Sequence, residues 1–376
     1  MTRQIYLDFN GSTPIAREVL AAMQPHLSAS FGNPSSHHWA AQPARDAVEF
    51  ARGQVAALIG CNATDVTFTS GGTEANNQAL KGVYWAKKDV VAKPHFIASA
   101  VEHPAILAPL RFLERLGAEV TVVGVDRFGC VDPEDIRRAM RTNTVLVSVM
   151  HANNEVGTIQ PIAEIGAIAH DRGALMHTDA AQSLGKIAVD VDALQVDLLS
   201  IAGHKLYAPK GVGALYVREG TGLESLLHGG NHEAGRRAGT ESALLTAGLG
   251  AACELSRQWI ASESTLKLRD LFWSLLQASC GDDVVLNGHP TQRLPNTLNV
   301  SFVGCDGGAL LARLEEVAAS TGSACHSGDT SGSPVLAAMG VTPQVAAGAI
   351  RFSLGRSTSE DEIRDVVKRL RGALAS

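Results

Sequence analysis

The stretch SIAGHKLYAPKG, Ser200 to Gly211, sets Lys205 directly after a glycine and a histidine, at the end of the apolar run VDLLSIAG. An ammonium group drawn into a core loses proton affinity, and the freed lone pair is what an amine needs to form a Schiff base. Upstream, HTDAAQ places Asp179 at the end of another apolar segment, where a carboxylate can keep a heteroaromatic ring nitrogen protonated. Earlier still, FTSGGTEANN reads as a strand end, a Gly-Gly turn and a helix start. There the backbone N–H groups of Gly72 and Thr73, with the Thr73 hydroxyl, form a cradle for phosphate. Each signal alone has a plainer reading: a lysine snorkelling to the surface, an aspartate capping a helix before AAQSLG, a common tight turn. The turn carries neither a P-loop lysine nor a G-x-G-x-x-G fingerprint, so it does not indicate nucleotide binding.

The elements that must hold these groups alternate from about Val66 to Arg218. Short β-rich runs (DVTFTS, HFIASA, EVTVVGV, TVLVSVM, ALMHTD, VDLLSIA, GALYVR) alternate with helical segments such as TEANNQALKGVYWAKK, DPEDIRRAM and PIAEIGAIAHDRG. That order predicts an α/β fold, a mostly parallel sheet flanked by helices on both faces. Upstream, ARDAVEFARGQVAALIG carries Ala44, Ala47, Val48, Ala51, Val55 and Leu58 at helical spacing and stops at Gly60. After about Glu254 the pattern changes to one long helical stretch (ELSRQWIASESTLKLRDLFWSLLQAS), two strands (NTLNVSFVG, GAIRFSLG) and a final helix that Ser359 and Glu362 open as a capping box. The expected organisation is a large domain over 14–254 and a smaller α+β domain made of 1–13 and 255–376.

Composition narrows the class. The chain has 376 residues, with 32 Lys+Arg against 38 Asp+Glu, a formal charge of −6. It offers no polycationic face for nucleic acid and no basic tail for an anionic membrane. MTRQIYLDFNG lacks the apolar stretch of a secretory signal, and ALLTAGLGAACEL is too short and glycine-rich to span a bilayer. A soluble, cytoplasmic protein is expected. Its six cysteines form no C-x-x-C pair, so neither a metal site nor a redox dithiol is expected.

With phosphate cradle, ring-nitrogen acid and Schiff-base lysine in that order, the chain resembles the class V branch of fold-type I pyridoxal-phosphate enzymes. Within it, the chain is similar to the cysteine desulfurases and the related selenocysteine lyases. The matching segments run almost end to end: YLDFNGSTP, FGNPSSHH, FTSGGTEANN, SAVEHPAIL, HANNEVGTIQPI, HTDAAQSLGK, GHKLYAPKGVGALY, RRAGTES, LPNTLNVSF, GSACHSG and IRFSLGRST. The resemblance implies that pyridoxal 5'-phosphate is held on Lys205, which also moves the substrate Cα proton. It implies that Asp179 pairs with the pyridine nitrogen, that Asn154 and Gln182 reach the phenolic oxygen, and that His103 stacks on the ring. Gly72, Thr73 and His204 would hold the phosphate, with Thr240 reaching it from a second subunit of a homodimer. Arg351 would clamp the substrate carboxylate, beside Asn154. Taken without the resemblance, His103 reads as a helix cap, Arg351 as a surface ion pair and Asn154 as a turn residue.

Two positions depart from the family pattern. Ala202 stands where many relatives carry a serine or threonine whose hydroxyl helps hold phosphate, so one contact is missing or supplied by backbone. Gly11 and Ser12 stand in DFNGST, where relatives usually have Asn-Ala-Thr. Cys325, in STGSACHSGDTSGSP with His326 beside it to favour thiolate, matches the family's sulfur-accepting nucleophile. The implied reaction turns L-cysteine into L-alanine and an enzyme persulfide, for later passage to a sulfur-acceptor protein. HSGDTSGSPVLAAMGV looks more like the selenocysteine-lyase side, so L-selenocysteine is the alternative substrate. A class V aminotransferase would share Lys205 and Asp179 without needing Cys325, and a cofactor-free scaffold would need none of the three.

Overall fold

Ile5–Tyr6 (β1) precedes seven strands that pair into one sheet: Val66–Thr69 (β2), His95–Ser99 (β3), Glu119–Val123 (β4), Thr144–Ser148 (β5), Leu175–Asp179 (β6), Leu198–Ala202 (β7) and Gly213–Val217 (β8). Their order is β2-β8-β7-β6-β5-β3-β4, with β8 running against the others. This is a computed structural model and it describes residues 4–260, 262–321 and 332–375. Every residue of β3, β5, β7 and β8 is buried, because helices cover both faces and no solvated face remains to call for alternation. All seven strands expected from the sequence are present.

The helix Gln42–Ile59 shows how the flanking layer forms. Ala44, Val48, Ala51, Val55 and Ile59 recur on one buried face, and the helix stops at Gly60, whose φ of 73° favours glycine. That face packs on the helix Ala243–Ile260, where a Cβ at Gly250 would come within 2.7 Å of the Ala51 Cα; the small residues let the backbones meet. Val48, Val55, Leu249 and Cys253 join Val147, Met176 and Ile201 of the sheet in one apolar cluster. Each such side chain contributes roughly 1.5–3 kcal/mol by leaving water.

The single helical stretch expected after Glu254 is two helices, Ala243–Ile260 and Ser264–Cys280. Between them Glu263 adopts a left-handed backbone (φ 47°) and the Ser262 and Ser264 hydroxyls lie 3.1 Å apart. Serines that compete for backbone hydrogen bonds break a helix where apolar spacing alone would continue it. Beyond them, Val284–Asn287 (β9), Thr297–Phe302 (β10) and Ala349–Ser353 (β12) form an antiparallel sheet in the order β12-β10-β9, while β1 pairs in parallel with Val317–Ala318 (β11). Strand β9 was not anticipated; at four residues it is too short to display a period. Ile5 and Leu7 share a second apolar cluster with Phe272, Val300, Phe352 and Ile363. The last helix, Glu360–Leu374, opens on the expected capping box of Ser359 and Glu362.

Candidate active site

A cavity of about 290 Å³ opens beside the carboxyl ends of β3, β5, β6 and β7, where open α/β sheets gather ligand groups. Gly72, Thr73 and Asn76 reach it from the start of the helix Gly72–Lys87, His103 from the turn after β3, and Asn154 from the turn after β5. Asp179 and Gln182 come from the end of β6, and Ala202, His204 and Lys205 from the end of β7. Arg351 enters from β12, and Asn10 and Gly11 from the N-terminal segment. At the cradle, Gly71 holds a φ of 150° that other residues rarely adopt, and a Cβ on Gly72 would lie 3.1 Å from the Ala202 Cβ. The Ala202 methyl therefore backs directly onto the helix start.

Asp179 is set by two donors. Asn76 Nδ2 donates to Oδ2 at 2.7 Å and the Ala181 amide donates to Oδ1 at 2.9 Å. No helix lies between β6 and β7, so Asp179 caps none; its Ala181 bond closes a turn at the cavity wall. Lys205 Nζ donates to the main-chain oxygens of Asn10 and Gly11, the latter at 2.7 Å. His103 does cap the helix Pro104–Arg115, its Nδ1 accepting from the Ala105 amide at 3.1 Å, while also lining the cavity. Before it, Glu102 is buried: Ser99 Oγ and the Met150 amide donate to its Oε1 at 2.6 and 2.8 Å. Burial first, and the charge of Asp179 besides, push the Glu102 carboxyl up to about 8. His204 is pushed down to about 4, by burial first and then by Lys205 and Lys210, so its imidazole is neutral near pH 7.

Arg351 is no surface residue: it is 4% exposed. Its Nη1 donates to the Asn154 main-chain oxygen at 3.0 Å and its Nη2 to Asp8 Oδ1 at 2.6 Å. Nε, although buried, has no partner among the described residues, and neither has Asn76 Oδ1. Gln182 Nε2 donates to the Asn10 main-chain oxygen at 3.0 Å.

The cavity thus gathers Gly72, Thr73, His103, Asn154, Asp179, Gln182, Ala202, His204, Lys205 and Arg351. Thr240 lies elsewhere, exposed on the rim of another pocket with Glu233 and Arg237. Cys325 and His326 lie outside the described residues. Sequence reasoning passed over Asn10, Asn76 and Lys186. Asn76 carried a signal, since it follows Gly72 by one helical turn and so shares its face; Lys186 follows Gln182 by four residues. Among the described residues, no group of three or more His, Cys, Asp or Glu could hold a metal ion. The donor set suits an anionic, heteroaromatic aldehyde: an amine, a carboxylate bound by two N–H donors, a helix start with a glycine pressed against its neighbour, and an unpartnered guanidinium N–H.

Fold and cavity define an α/β protein with a lysine among the ligand-facing groups at the strand ends. The model of one family, aminotransferase class V, matches residues 5–366. The chain is 47% identical to the cysteine desulfurase IscS of Dictyoglomus turgidum, across 98% of this chain and 95% of that one, and 44% identical to the cysteine desulfurase IscS of Methanosarcina thermophila, across 98% and 93%. Among solved structures, a NifS-like protein superposes with a TM-score of 0.92 at 34% identity, each chain covered to 99%. SspA, solved in complex with cysteine, superposes at 0.84 with 37% identity, covering 93% of this chain and 98% of that one. The chain belongs to the aminotransferase class V family, in its cysteine desulfurase branch. That family is pyridoxal-phosphate-dependent.

Proposed function

We propose that this chain is a pyridoxal-phosphate-dependent cysteine desulfurase that converts L-cysteine to L-alanine and keeps the sulfur as a persulfide on Cys325. The observation that carries the reading is the convergence of Lys205, Asp179 and Arg351 on one cavity, in a chain whose relatives are cysteine desulfurases. Pyridoxal phosphate, when bound, supplies an electron sink that labilises the substrate Cα proton and activates its sulfur. Lys205 is its attachment point and the base for that proton. Asp179, held by Asn76 and Ala181, would pair with the ring nitrogen, Gly72, Thr73 and His204 would hold the phosphate, and His103 would stack on the ring. Asn154 and Gln182 serve the phenolic oxygen. Arg351 would offer the substrate carboxylate its Nε–H, which has no partner among the described residues.

In the sulfur step, the Cys325 thiolate donates its electron pair to the substrate sulfur. The new S–S bond forms as the C–S bond breaks, and the released pair takes up a proton at the substrate β-carbon to give alanine. Thr240, exposed and away from its own chain's cavity, supports a homodimer in which it serves the partner's phosphate site. Phe31, Trp39 and Phe50, exposed at 76%, 83% and 70%, supply apolar surface for such an association. Two of the apolar clusters, one between Ala16 and Cys253 and the other made of Ile5, Leu7 and residues between Phe272 and Leu370, support a large domain over 14–254 and a smaller one from 1–13 and 255–376. A cytoplasmic site of action and a protein sulfur acceptor belong to the same proposal. Among the described residues, no helix is long and apolar enough to cross a membrane.

The test is purified protein given L-cysteine or L-selenocysteine, with alanine scored against sulfide or selenide. Cysteine is expected to yield alanine and a persulfide-bearing peptide containing Cys325. Cys325→Ala is expected to keep the bound cofactor and bring alanine formation from cysteine to near background. Alanine and sulfide from that variant at the wild-type rate would overturn the nucleophile assignment. Turnover confined to selenocysteine would instead establish the lyase.

A further inference from the structure

Lys186 is a second lysine close to Lys205, and nothing in the reaction above uses it. It follows Gly185 in the turn after β6, and its Nζ donates to Gln182 Oε1 at 2.7 Å and to Asn10 Oδ1 at 2.9 Å. Burial, then the charges of Lys205 and Arg351, push its ammonium well below the ordinary lysine value.

Protonated, the Lys186 head group has only donors to give these amides, and in this geometry it meets the oxygen of each. With Gln182 Oε1 engaged, Nε2 must point away from Lys186, toward the Asn10 main-chain oxygen and the cavity that Gln182 lines. With Asn10 Oδ1 engaged, Nδ2 must face Thr297 Oγ1 and the Asn154 main-chain oxygen, at 2.8 and 3.2 Å. The main-chain oxygen of Asn10 meanwhile accepts from Lys205. The amine thus fixes the Gln182 amide at the cavity wall and shares the Asn10 oxygen with Asn296 Nδ2, which donates to it at 3.0 Å.

We propose that Lys186 is a positioning residue that locks the Gln182 amide with its N–H groups toward the cavity, ready to donate to an anionic oxygen of the bound ligand. The inference rests on the pyridoxal-phosphate reading, in which that oxygen is the phenolic oxygen of the cofactor. Without Lys186 the Gln182 oxygen has no donor among the described residues, and the amide is free to turn an acceptor toward an acceptor.

The experiment compares wild type, Lys186→Met, Lys186→Arg, Gln182→Ala and the Lys186→Met/Gln182→Ala double variant, each loaded with pyridoxal phosphate. Cofactor dissociation constant and visible absorption maximum are read. Lys186→Met is expected to weaken binding about tenfold and move the absorption maximum, since one charge-assisted contact is lost. In the Gln182→Ala background the same substitution is expected to change affinity less than about twofold, because it acts through Gln182. Lys186→Arg keeps two N–H donors and has room in the adjoining cavity of about 210 Å³, so it is expected to restore the wild-type absorption maximum. A Lys186→Met protein with wild-type affinity and spectrum, full additivity in the double variant, or failure of Arg to rescue would overturn the assignment. Near-UV circular dichroism confirms that each variant is folded. Should Met at this position prevent folding, Lys186→Leu, which likewise offers no donor, takes its place in the same cycle and is read by the same criteria. Wild type that takes up no pyridoxal phosphate, or whose borohydride-fixed label lies elsewhere than on Lys205, overturns the functional reading and this inference together. Normal wild-type loading with an indifferent Lys186 overturns this inference alone.

Discussion

Glu233→Gln strikes the ion pair that anchors the segment carrying Thr240. Arg52 and Glu233 meet through two contacts, Nη1 to Oε2 at 2.7 Å and Nη2 to Oε1 at 3.0 Å, with side chains 10% and 2% exposed. Glu233 Oε2 also accepts from the Phe68 amide on β2 at 2.8 Å, so two carboxylate oxygens serve three donors. Glutamine has one acceptor for those donors, and its own NH₂ faces an N–H. Breaking a buried pair on one side destabilises by about 3–5 kcal/mol, because the remaining charge stays buried. Arg52 keeps the Val66 main-chain oxygen at 2.9 Å and the exposed Glu49 carboxylate at 3.2 Å, which puts the expectation at the low end, about 3 kcal/mol. Against a total stability of roughly 5–15 kcal/mol that is a large fraction. With a denaturant slope of about 3 kcal/mol per M, the urea midpoint is expected to fall by about 1 M. Adding Arg52→Met removes the stranded cation and is expected to recover part of the loss. A Glu233→Gln midpoint within about 0.2 M of wild type, on the same slope scale, would refute the argument that this pair anchors the segment.

Thr240→Ala is expected to weaken pyridoxal-phosphate retention about fivefold, one hydrogen bond to a charged group, measured by equilibrium dialysis; a monomeric protein with full occupancy would sink the shared-site reading. Glu102→Gln is expected to flatten the pH dependence of stability between pH 6.5 and 8. The folded carboxyl sits at about 8 against an ordinary 4.5. Its stabilising contribution is therefore complete below 4.5 and is lost as pH rises through 8, at up to about 1.4 kcal/mol per pH unit. Glu155, raised to about 7 by burial, leaves a smaller slope of the same sign. His151 and His177, lowered to about 4 by burial, act only on the acid side, where stability falls as the unfolded chain takes up protons below 6.5. Urea midpoints at pH 6.5 and 8 decide it, and equal slopes in wild type and Glu102→Gln would refute the placement of that proton.

The large sheet was legible because each of its strands is a short apolar run bounded by turn residues, and because helical spacing between them is unambiguous. Asp179 and Lys205 were legible for the same reason: each stands where a buried strand ends, so its polarity contrasts with what precedes it. The helix break at Glu263 was not legible, since the apolar spacing runs through it and the break depends on two serines and a left-handed residue. Arg351 was legible as an arginine but not as a buried one. Its burial requires β12 to lie beside β10 and the N-terminal segment to cross over it, which no local pattern states.

Asn10 marks where local reading ends. Its backbone and side chain bond to Asn154, Lys186, Lys205, Asn296, Thr297 and Ser353, partners between 144 and 343 positions away. In the sequence it is one asparagine before a glycine, the commonest of turn signals. The groups that perform chemistry must present themselves to a ligand, so they sit at strand ends and helix starts that a sequence reveals. The groups that fix them need only be buried and mutually satisfied, and their partners are chosen by the fold. Lys186 shows the consequence: it is separated from Gln182 by one helical turn's spacing and from Asn10 by nearly half the chain, and only the second relation gives the first its meaning.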